Sequence, residues 1–163
     1  PHEHLAIATS GGPDSIGLLA LAAHSFPGRI TALTVDHGLR AASEAEAALV
    51  ARQCGARGIA HATLRWEGPK PARNVQALAR AARYRLMGDW CRAHGVGWLL
   101  TAHHADDQAE TLLMRLARGS GSGGLAGIRP SRDLQGVRLV RPLLGLRKAA
   151  LARLAASWET VAD

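Results

Sequence analysis

The side chains most suited to chemistry lie in a glycine-rich turn near the beginning of the chain. A short apolar segment at residues 5–8 runs into Ser-Gly-Gly-Pro-Asp-Ser at residues 10–15, and a strongly apolar helical segment follows. Adjacent glycines let the backbone approach an anion closely, and the N–H groups of the turn and of the helix N-terminus then point at it. The pattern predicts a phosphate cradle built from Ser10, Gly11, Gly12, Pro13, Asp14 and Ser15.

Asp14 is the unusual member of this turn, because a carboxylate beside phosphates repels them. Its presence is explained if it holds Mg²⁺ or caps the turn. No Gly-Lys-Ser/Thr sequence follows the glycines, so the turn is not a Walker-type phosphate loop. It resembles instead the turn of the PP-loop ATP pyrophosphatases, which cleave ATP between the α- and β-phosphates. The alternative is an ordinary turn capped by serine, and the turn alone does not identify the acceptor substrate.

A second group of reactive side chains spans residues 101–111, Thr-Ala-His-His-Ala-Asp-Asp-Gln-Ala-Glu-Thr, where a predicted strand meets a helix. Asp107 and Glu110 are stacked at i, i+3, and two carboxylates on one helix face suit a ligand ammonium group or a metal. Alternatively, the acidic residues only complement the helix dipole. The spacing of His103 and His104 matches no standard zinc pattern. We expect the other helix face to be buried through Ala109, Leu112, Leu113 and Leu116.

Three further segments could contribute to a site. Asp36 and His37 follow the second predicted strand, although a plain turn closed by Gly38 is the alternative. Arg83 lies at the edge of a long helix's apolar stripe and could neutralise phosphate charge, unless it is simply solvated. The glycine-rich segment 118–128 is predicted to be a loop that closes over a ligand or contacts RNA phosphates, with a structureless connector as the alternative.

The elements that position these residues alternate between strand and helix. This alternation predicts one three-layer α/β/α domain of the Rossmann-like type with a parallel five-stranded sheet, and ligands at the carboxyl ends of its strands. Ser43 and Glu46 are predicted to form a capping box. Strands are predicted at residues 5–8, 30–35, 60–64, 98–101 and 137–140, and helices at 16–25, 43–53, 74–93, 106–118 and 147–158.

Composition limits the class of protein. A chain of 163 residues with 47% hydrophobic and 20% charged residues is expected to form one globular domain, and no apolar run reaches membrane-spanning length. The net charge of +7 favours a polyanionic partner, namely ATP and nucleic acid. Cys54 and Cys91 fit no metal or redox spacing, which predicts a cytoplasmic protein. A homodimer is compatible with the sequence, which fixes no oligomeric state.

Taken together, these segments resemble one PP-loop family, the tRNA(Ile)-lysidine synthases. The motifs occur in the family's order and cover nearly the whole chain, and their joint occurrence is far more specific than any one alone. The matching stretches are residues 10–15, Val-Asp-His-Gly-Leu-Arg at 35–40, Ala-Arg-Tyr-Arg at 82–85, 101–111, Arg-Gly-Ser-Gly at 118–121, Gly-Leu-Ala-Gly-Ile at 124–128 and Arg-Pro-Leu-Leu at 141–144.

The resemblance implies a two-step ligation. ATP adenylates the C2 oxygen of wobble cytidine 34 in tRNA(Ile) with a CAU anticodon, and the ε-amine of free L-lysine then displaces AMP to give lysidine. Asp14 would organise Mg²⁺ or phosphate, and Asp36 and His37 would join residues 10–15 in binding ATP. Among the remaining catalytic residues that the resemblance implies, Arg83 and His103 would stabilise phosphate charge, and Asp107 and Glu110 would hold the amines of lysine.

One departure from the family pattern is the end of the chain at Asp163, where a further family motif and the C-terminal tRNA-binding domains would follow. With the absence of an initiator Met, this predicts a fragment that binds nucleotide but turns over little. The nearest rival is a PP-loop tRNA thiolase, which usually needs paired cysteines or an iron–sulfur cluster. More distant rivals are an amidotransferase-type synthetase and a non-catalytic nucleotide-binding module of the universal-stress type.

Overall fold

The computed structural model describes residues 3–39, 42–68, 73–117 and 127–161. Within them, strands alternate with helices as the sequence predicts. The strands are β1 (Leu5–Ala8), β2 (Ile30–Asp36), β3 (Ala60–Arg65), β4 (Trp98–Leu100), β5 (Ser131–Leu134) and β6 (Val137–Val140). The helices are α1 (Pro13–Ser25), α2 (Ser43–Ala56), α3 (Val75–Ala93), α4 (Ala105–Ala117) and α5 (Lys148–Leu154).

The strands form one sheet in the order β3-β2-β1-β4-β6-β5. All neighbouring pairs are parallel except β5 and β6, which form an antiparallel hairpin. The prediction of a three-layer α/β/α fold is confirmed, but the sheet has six described strands rather than five. The sixth is the edge strand β5, whose sequence Ser-Arg-Asp-Leu has none of the apolar continuity that marks buried parallel strands.

The core lies on both faces of the sheet. Successive residues of β1 point to opposite faces, so Ile7 packs with α1, α2 and α5, whereas Ala6 packs with α3. Two-sided burial explains why the central strands are almost wholly apolar. The parallel register places the carboxyl end of β1 beside those of β2 and β4, so that the turns after these three strands lie at one edge of the sheet.

Helix α4 departs most clearly from the prediction. It has no buried residue among those described, and its apolar side chains are exposed: Leu112 by 37%, Leu113 by 65% and Leu116 by 57%. Periodicity correctly predicted an amphipathic helix but could not show whether a partner covers it. Residues 118–126 of the glycine-rich segment that follows lie outside the described part of the chain.

Two smaller predictions were also wrong. Ser43 does not cap α2 through its side chain; the N-cap position is Ala42, and the Ser43 hydroxyl donates to Asp36 instead. The i, i+3, i+4 spacing of apolar residues in the sequence also predicts that Leu78 lies on the buried stripe of α3, but it is 44% exposed. Among the described helices, none is long and apolar enough to cross a membrane.

Candidate functional site

The glycine-rich turn joins β1 to α1 and is held by its two serines. The Ser10 N–H donates to Ser15 Oγ over 3.1 Å, and Ser15 Oγ donates to the Gly12 carbonyl over 3.0 Å. Gly11 adopts φ +93°, and a Cβ there would lie 2.8 Å from Val161 Cγ2, so only glycine fits. Pro13 starts the helix with the φ that a first turn requires. The predicted turn therefore has a rigid, internally bonded shape.

This turn presents donors that the protein itself does not use. Within the described residues, the N–H groups of Gly11 and Gly12 donate to no protein acceptor. They lie at the N-terminus of α1, where the helix dipole adds positive potential. The arrangement is suited to an anion such as a phosphate group.

Asp14 lies in the first turn of α1 with one carboxylate oxygen unsatisfied. Its Oδ2 is 3.3 Å from His104 Nε2, while Oδ1 is buried without a hydrogen-bond partner among the described residues. A buried carboxylate oxygen without a donor is costly unless a cation or water meets it. Among the described residues no cluster of three metal-ligating side chains exists. Asp14 therefore fits a role as the carboxylate that would hold Mg²⁺, an ion that proteins bind through only one or two carboxylates at phosphate sites.

His104 connects Asp14 to the start of α4. It is 4% exposed and occupies the position before the helix, where its N–H donates to Asp107 Oδ2 over 2.8 Å. In return, the Asp107 N–H donates to His104 Nδ1 over 3.4 Å, a reciprocal arrangement like a capping box. Because Nδ1 accepts this bond, the neutral ring carries its proton on Nε2, the nitrogen that faces Asp14.

Asp36 is fixed at the end of β2 by two donors. Its Oδ1 accepts the Gly38 N–H over 2.9 Å and the Ser43 hydroxyl over 2.7 Å. These bonds, that from Ser43 above all, hold the pKa of Asp36 below its usual value. Asp36 thus joins β2 to the start of α2 and shapes the turn that carries His37.

Helix α3 supplies two arginines to the same place. Arg83 Nη2 lies 3.4 Å from His37 Nε2, and Arg80 Nη2 lies 3.4 Å from His103 Nε2. Burial lowers the pKa of the Arg83 guanidinium, but an arginine remains charged at neutral pH. The pair brings two positive charges to the same space that Ser10, Asp14 and Ser15 line.

His103 is held as a neutral ring. Burial, followed by the positive charges of Arg141 and Arg80, lowers its pKa to about 4. Its Nδ1 lies 3.1 Å from Thr101 Oγ1, and Arg80 donates to Nε2. The proton therefore lies on Nδ1, and Nε2 presents a lone pair. His103 offers hydrogen bonds to a ligand at neutral pH rather than a positive charge.

These side chains surround an open cleft of about 830 Å³ at the carboxyl ends of β1, β2 and β4. Of the predicted site residues, Gly11, Gly12 and Pro13 form the turn beside it and Asp36 lies behind it. Glu110 is exposed and does not line the cleft, although it shares a helix face with Asp107. The predicted residues that line it are Ser10, Asp14, Ser15, His37, Arg83, His103 and Asp107.

Two residues of the candidate site were not predicted from the sequence. Arg80 also lines the cleft, and its spacing of three residues from Arg83 on one helix was the available signal. His104 was noted in its motif but given no role, because nothing in the sequence showed which histidine of the pair would turn inward.

Comparison with known proteins identifies a family to which the chain belongs and several similar proteins. A family model described as a PP-loop domain matches residues 1–160. The chain is 52% identical over 160 residues to a tRNA(Ile)-lysidine synthase of Methylobacterium nodulans, covering 96% of this chain and 47% of that protein. It is 51% identical to the enzyme of the same name from Ruegeria pomeroyi, covering 93% of this chain and 37% of that protein. The chain thus spans less than half the length of these relatives.

Solved structures share the fold at low sequence identity. The U34-tRNA thiolase NcsA of Methanococcus maripaludis superposes with a TM-score of 0.79 at 18% identity, covering 95% of this chain and 57% of that one. The NH₃-dependent NAD synthetase of Campylobacter jejuni gives a TM-score of 0.58 at 15% identity, covering 94% and 62%. These likenesses establish the architecture and leave the substrate open.

Proposed function

Since this chain belongs to the PP-loop domain family, we propose that it forms the ATP-binding catalytic domain of a cytoplasmic tRNA(Ile)-lysidine synthase. In this proposal ATP activates the C2 oxygen of cytidine 34 in tRNA(Ile) with a CAU anticodon, and free L-lysine then replaces AMP. The observation that carries the proposal is that the glycine-rich turn, the Asp14 oxygen without a hydrogen-bond partner and two arginines lie at one cleft. The names of relatives that are about half identical to this chain support the choice of acceptor.

The phosphates of ATP lie against the turn in this proposal. The N–H groups of Gly11 and Gly12 donate to phosphate oxygens, with the serine hydroxyls of the turn beside them. Asp14 would hold Mg²⁺ through Oδ1, the oxygen that has no hydrogen-bond partner among the described residues. When bound, Mg²⁺ supplies neutralising charge to the phosphates.

Adenylation forms a bond between the cytidine O2 and the α-phosphorus and breaks the bond to the bridging oxygen, which leaves with pyrophosphate. Arg80 and Arg83 face the turn across the cleft and stabilise the charge that develops there. His103 is neutral with its proton on Nδ1, so its Nε2 accepts a hydrogen bond from an N–H group of the base and gives no charge to the phosphates.

Lysine transfer needs an uncharged ε-amine next to C2. The carboxylate of Asp107 lines the cleft and binds the amine, and it takes the proton that the amine loses as the C–N bond forms and AMP leaves with O2. Glu110, one turn further along α4, holds the α-ammonium group of lysine. Its exposed position outside the cleft matches the more distant end of an extended lysine.

Thiolation of the tRNA is the alternative, and the cysteines argue against it. Cys54 lies on α2 and Cys91 on α3, both are fully buried, and they belong to clusters on opposite faces of the sheet. Burial raises the pKa of each thiol to about 11, so neither is a thiolate at neutral pH. Among the described residues there is thus no pair able to relay sulfur.

The test uses the whole protein with ATP, Mg²⁺ and an unmodified tRNA(Ile) transcript carrying a CAU anticodon. Radiolabelled lysine entering acid-insoluble tRNA is measured for the native protein and for Asp14→Asn and Asp107→Asn. We expect ATP-dependent incorporation that is abolished by the first substitution and reduced at least about a hundredfold by the second. Asp89→Asn, an exposed carboxylate of α3, is the control and should retain full activity.

Two other outcomes would change the conclusion. If ATP is cleaved to AMP and pyrophosphate but no lysine enters the tRNA, adenylation stands and lysine is the wrong nucleophile. If Asp14→Asn retains full incorporation, the assignment of Asp14 to the metal and phosphate site is wrong.

A further inference from the structure

A second pocket, of about 360 Å³, lies beside the cleft and is lined mainly by arginines. It has no acidic side chain among its lining residues. Four of its six lining residues are arginines, and guanidinium groups that lie close together repel one another unless an anion lies between them. The lining residues are Arg115, Gly127, Ile128, Arg129, Arg132 and Arg141.

Arg141 is the strongest sign that an anion belongs there. It is only 7% exposed, its Nη1 donates to the Arg129 carbonyl over 2.7 Å, and its Nε has no hydrogen-bond partner among the described residues. Burial lowers the pKa of this guanidinium, the interaction with the Tyr84 side chain partly opposes this, and the charges of Arg132 and Arg80 lower it further. A buried cation with an unused donor and no carboxylate partner is costly without a ligand.

The fold holds the arginines in place before any ligand arrives. Arg132 is paired in register with the buried Leu139, so it points to the α3 face of the sheet, where its guanidinium lies 4.5 Å from the Tyr84 ring centre. The Arg141 N–H donates to the Pro130 carbonyl over 2.8 Å. A pocket with fixed planar donors is suited to bidentate recognition of a phosphate.

The pocket adjoins the cleft instead of being remote from it. Tyr84, which Arg132 covers, also lines the cleft, and Arg141 lies close enough to His103 to lower its pKa. An anion in the pocket would therefore sit next to a nucleotide whose base reaches the reaction centre. The phosphates of ATP have their own donors in the glycine-rich turn.

We propose that this arginine pocket binds a backbone phosphate of the acceptor RNA, adjacent to the nucleotide being modified. The inference rests on the proposed function, because it takes the acceptor to be RNA. The contact positions the RNA strand without reading its sequence, as phosphate contacts generally do. The net charge of +7 agrees with a polyanionic partner.

The test compares Arg132→Gln with the native whole protein. The probe is a fluorescein-labelled RNA with the anticodon stem–loop of tRNA(Ile), and its Kd is measured by anisotropy over a series of salt concentrations. We expect Kd to rise about tenfold and the slope of log Kd against log salt to fall by about 0.7, the value for one single-strand phosphate. Arg141→Lys, which keeps the charge but loses the planar fork, should raise Kd with little change of slope.

Arg138→Gln is the matched control. Arg138 lies on the same hairpin, but it is paired with Asp133 on the opposite face from Arg132. The control should leave Kd and the salt slope unchanged. Equal effects of Arg132→Gln and Arg138→Gln would overturn the proposal, because they would show only a loss of general positive charge.

Two further measurements separate the possible ligands and the two proposals. If Arg132→Gln weakens binding of a non-hydrolysable ATP analogue and leaves RNA binding unchanged, the pocket belongs to the nucleotide and the inference is wrong. If the native protein transfers lysine to tRNA while Arg132→Gln binds RNA normally, only the phosphate pocket fails. If RNA binding is lost as expected but no lysine is ever transferred, the pocket stands and the proposed function fails.

Discussion

The protonation state of His103 decides how this residue can act, and it gives a pH-dependent prediction. The pKa of His103 in the folded protein is about 4, below the usual 6.5. Between these two values the unfolded chain binds more protons than the folded one, so the free energy of unfolding should fall as pH falls from 6.5 through 4. His103→Gln, which cannot be protonated, should lose this part of the pH dependence.

Urea denaturation of the native protein and of His103→Gln over this pH range measures the effect. The ring resonance of His103, assigned by its absence in the variant, should keep its neutral position down to about pH 5. Ala93→Ser, an exposed position at the end of α3 without a titratable group, serves as the control and should leave the slope of stability against pH unchanged. A His103 resonance that titrates near 6.5 would contradict the neutral assignment.

Seven of the residues that line the candidate cleft could be predicted from the sequence, because their types are unusual for their positions. Asp14 in a phosphate turn and the His-His-x-x-Asp motif attract attention without a structure. His104 could not be assigned, since its role depends on the ring turning inward to meet Asp14 at 3.3 Å. The basic cluster at Arg141 was equally hidden, because its members come from α4, the hairpin and the segments on either side of the hairpin.

At the scale of elements, the segment after α5 supports the glycine-rich turn. The Gln53 side chain, 9% exposed on α2, donates to the Glu159 carbonyl over 2.6 Å and accepts the Glu159 N–H over 2.9 Å. Two residues later, the Val161 N–H donates to the Gly11 carbonyl over 2.9 Å. The backbone of the turn is thus fixed partly by residues 150 positions away in sequence.

Gln53→Ala should loosen this support. It leaves two backbone groups of Glu159 without partners, which costs about 1–3 kcal/mol in the free energy of unfolding. We also expect the Kd for ATP to rise several-fold, because the turn loses a fixed neighbour. Urea denaturation and calorimetric titration with a non-hydrolysable ATP analogue measure the two effects.

The control for this prediction is Arg52→Ala, an exposed neighbour on the same helix. It should change neither quantity appreciably. A destabilised Gln53→Ala protein that binds ATP with native affinity would contradict the coupling between this segment and the turn.

The strands and helices differ in how well sequence patterns predict them. The central strands and α1 were predicted closely, because burial on both faces leaves an apolar signal in the sequence itself. Strand β5 was not predicted, because its polar sequence carries no strand pattern and forms a strand through backbone pairing with β6. Helix α4 was predicted, but the prediction that its apolar face is buried was wrong. An amphipathic pattern identifies an apolar face and does not show whether another element covers it.

At the scale of the whole molecule, the cleft and the arginine pocket lie next to each other, because Tyr84 lines the cleft and is covered by Arg132 of the pocket. The cleft contains Arg80 and Arg83 from α3, and the arginine pocket continues beyond Tyr84. Parallel strands bring these segments together because their carboxyl ends share an edge. A nucleotide with its base in the cleft and its flanking phosphate in the pocket would use both.

The last prediction concerns the 163-residue chain compared with the whole protein. Both should bind ATP with similar affinity, because the turn, Asp14 and the two arginines are all present in these residues. The relatives are more than twice as long as the part matched here, and binding energy from distant parts of a large substrate is used to position its reacting group. We therefore expect lysine incorporation by residues 1–163 alone to be lower by roughly a hundredfold or more. Calorimetry measures the affinity of both proteins for ATP, and lysine-transfer assays measure their rates. Equal transfer rates would show that these residues alone suffice to bind and orient the tRNA.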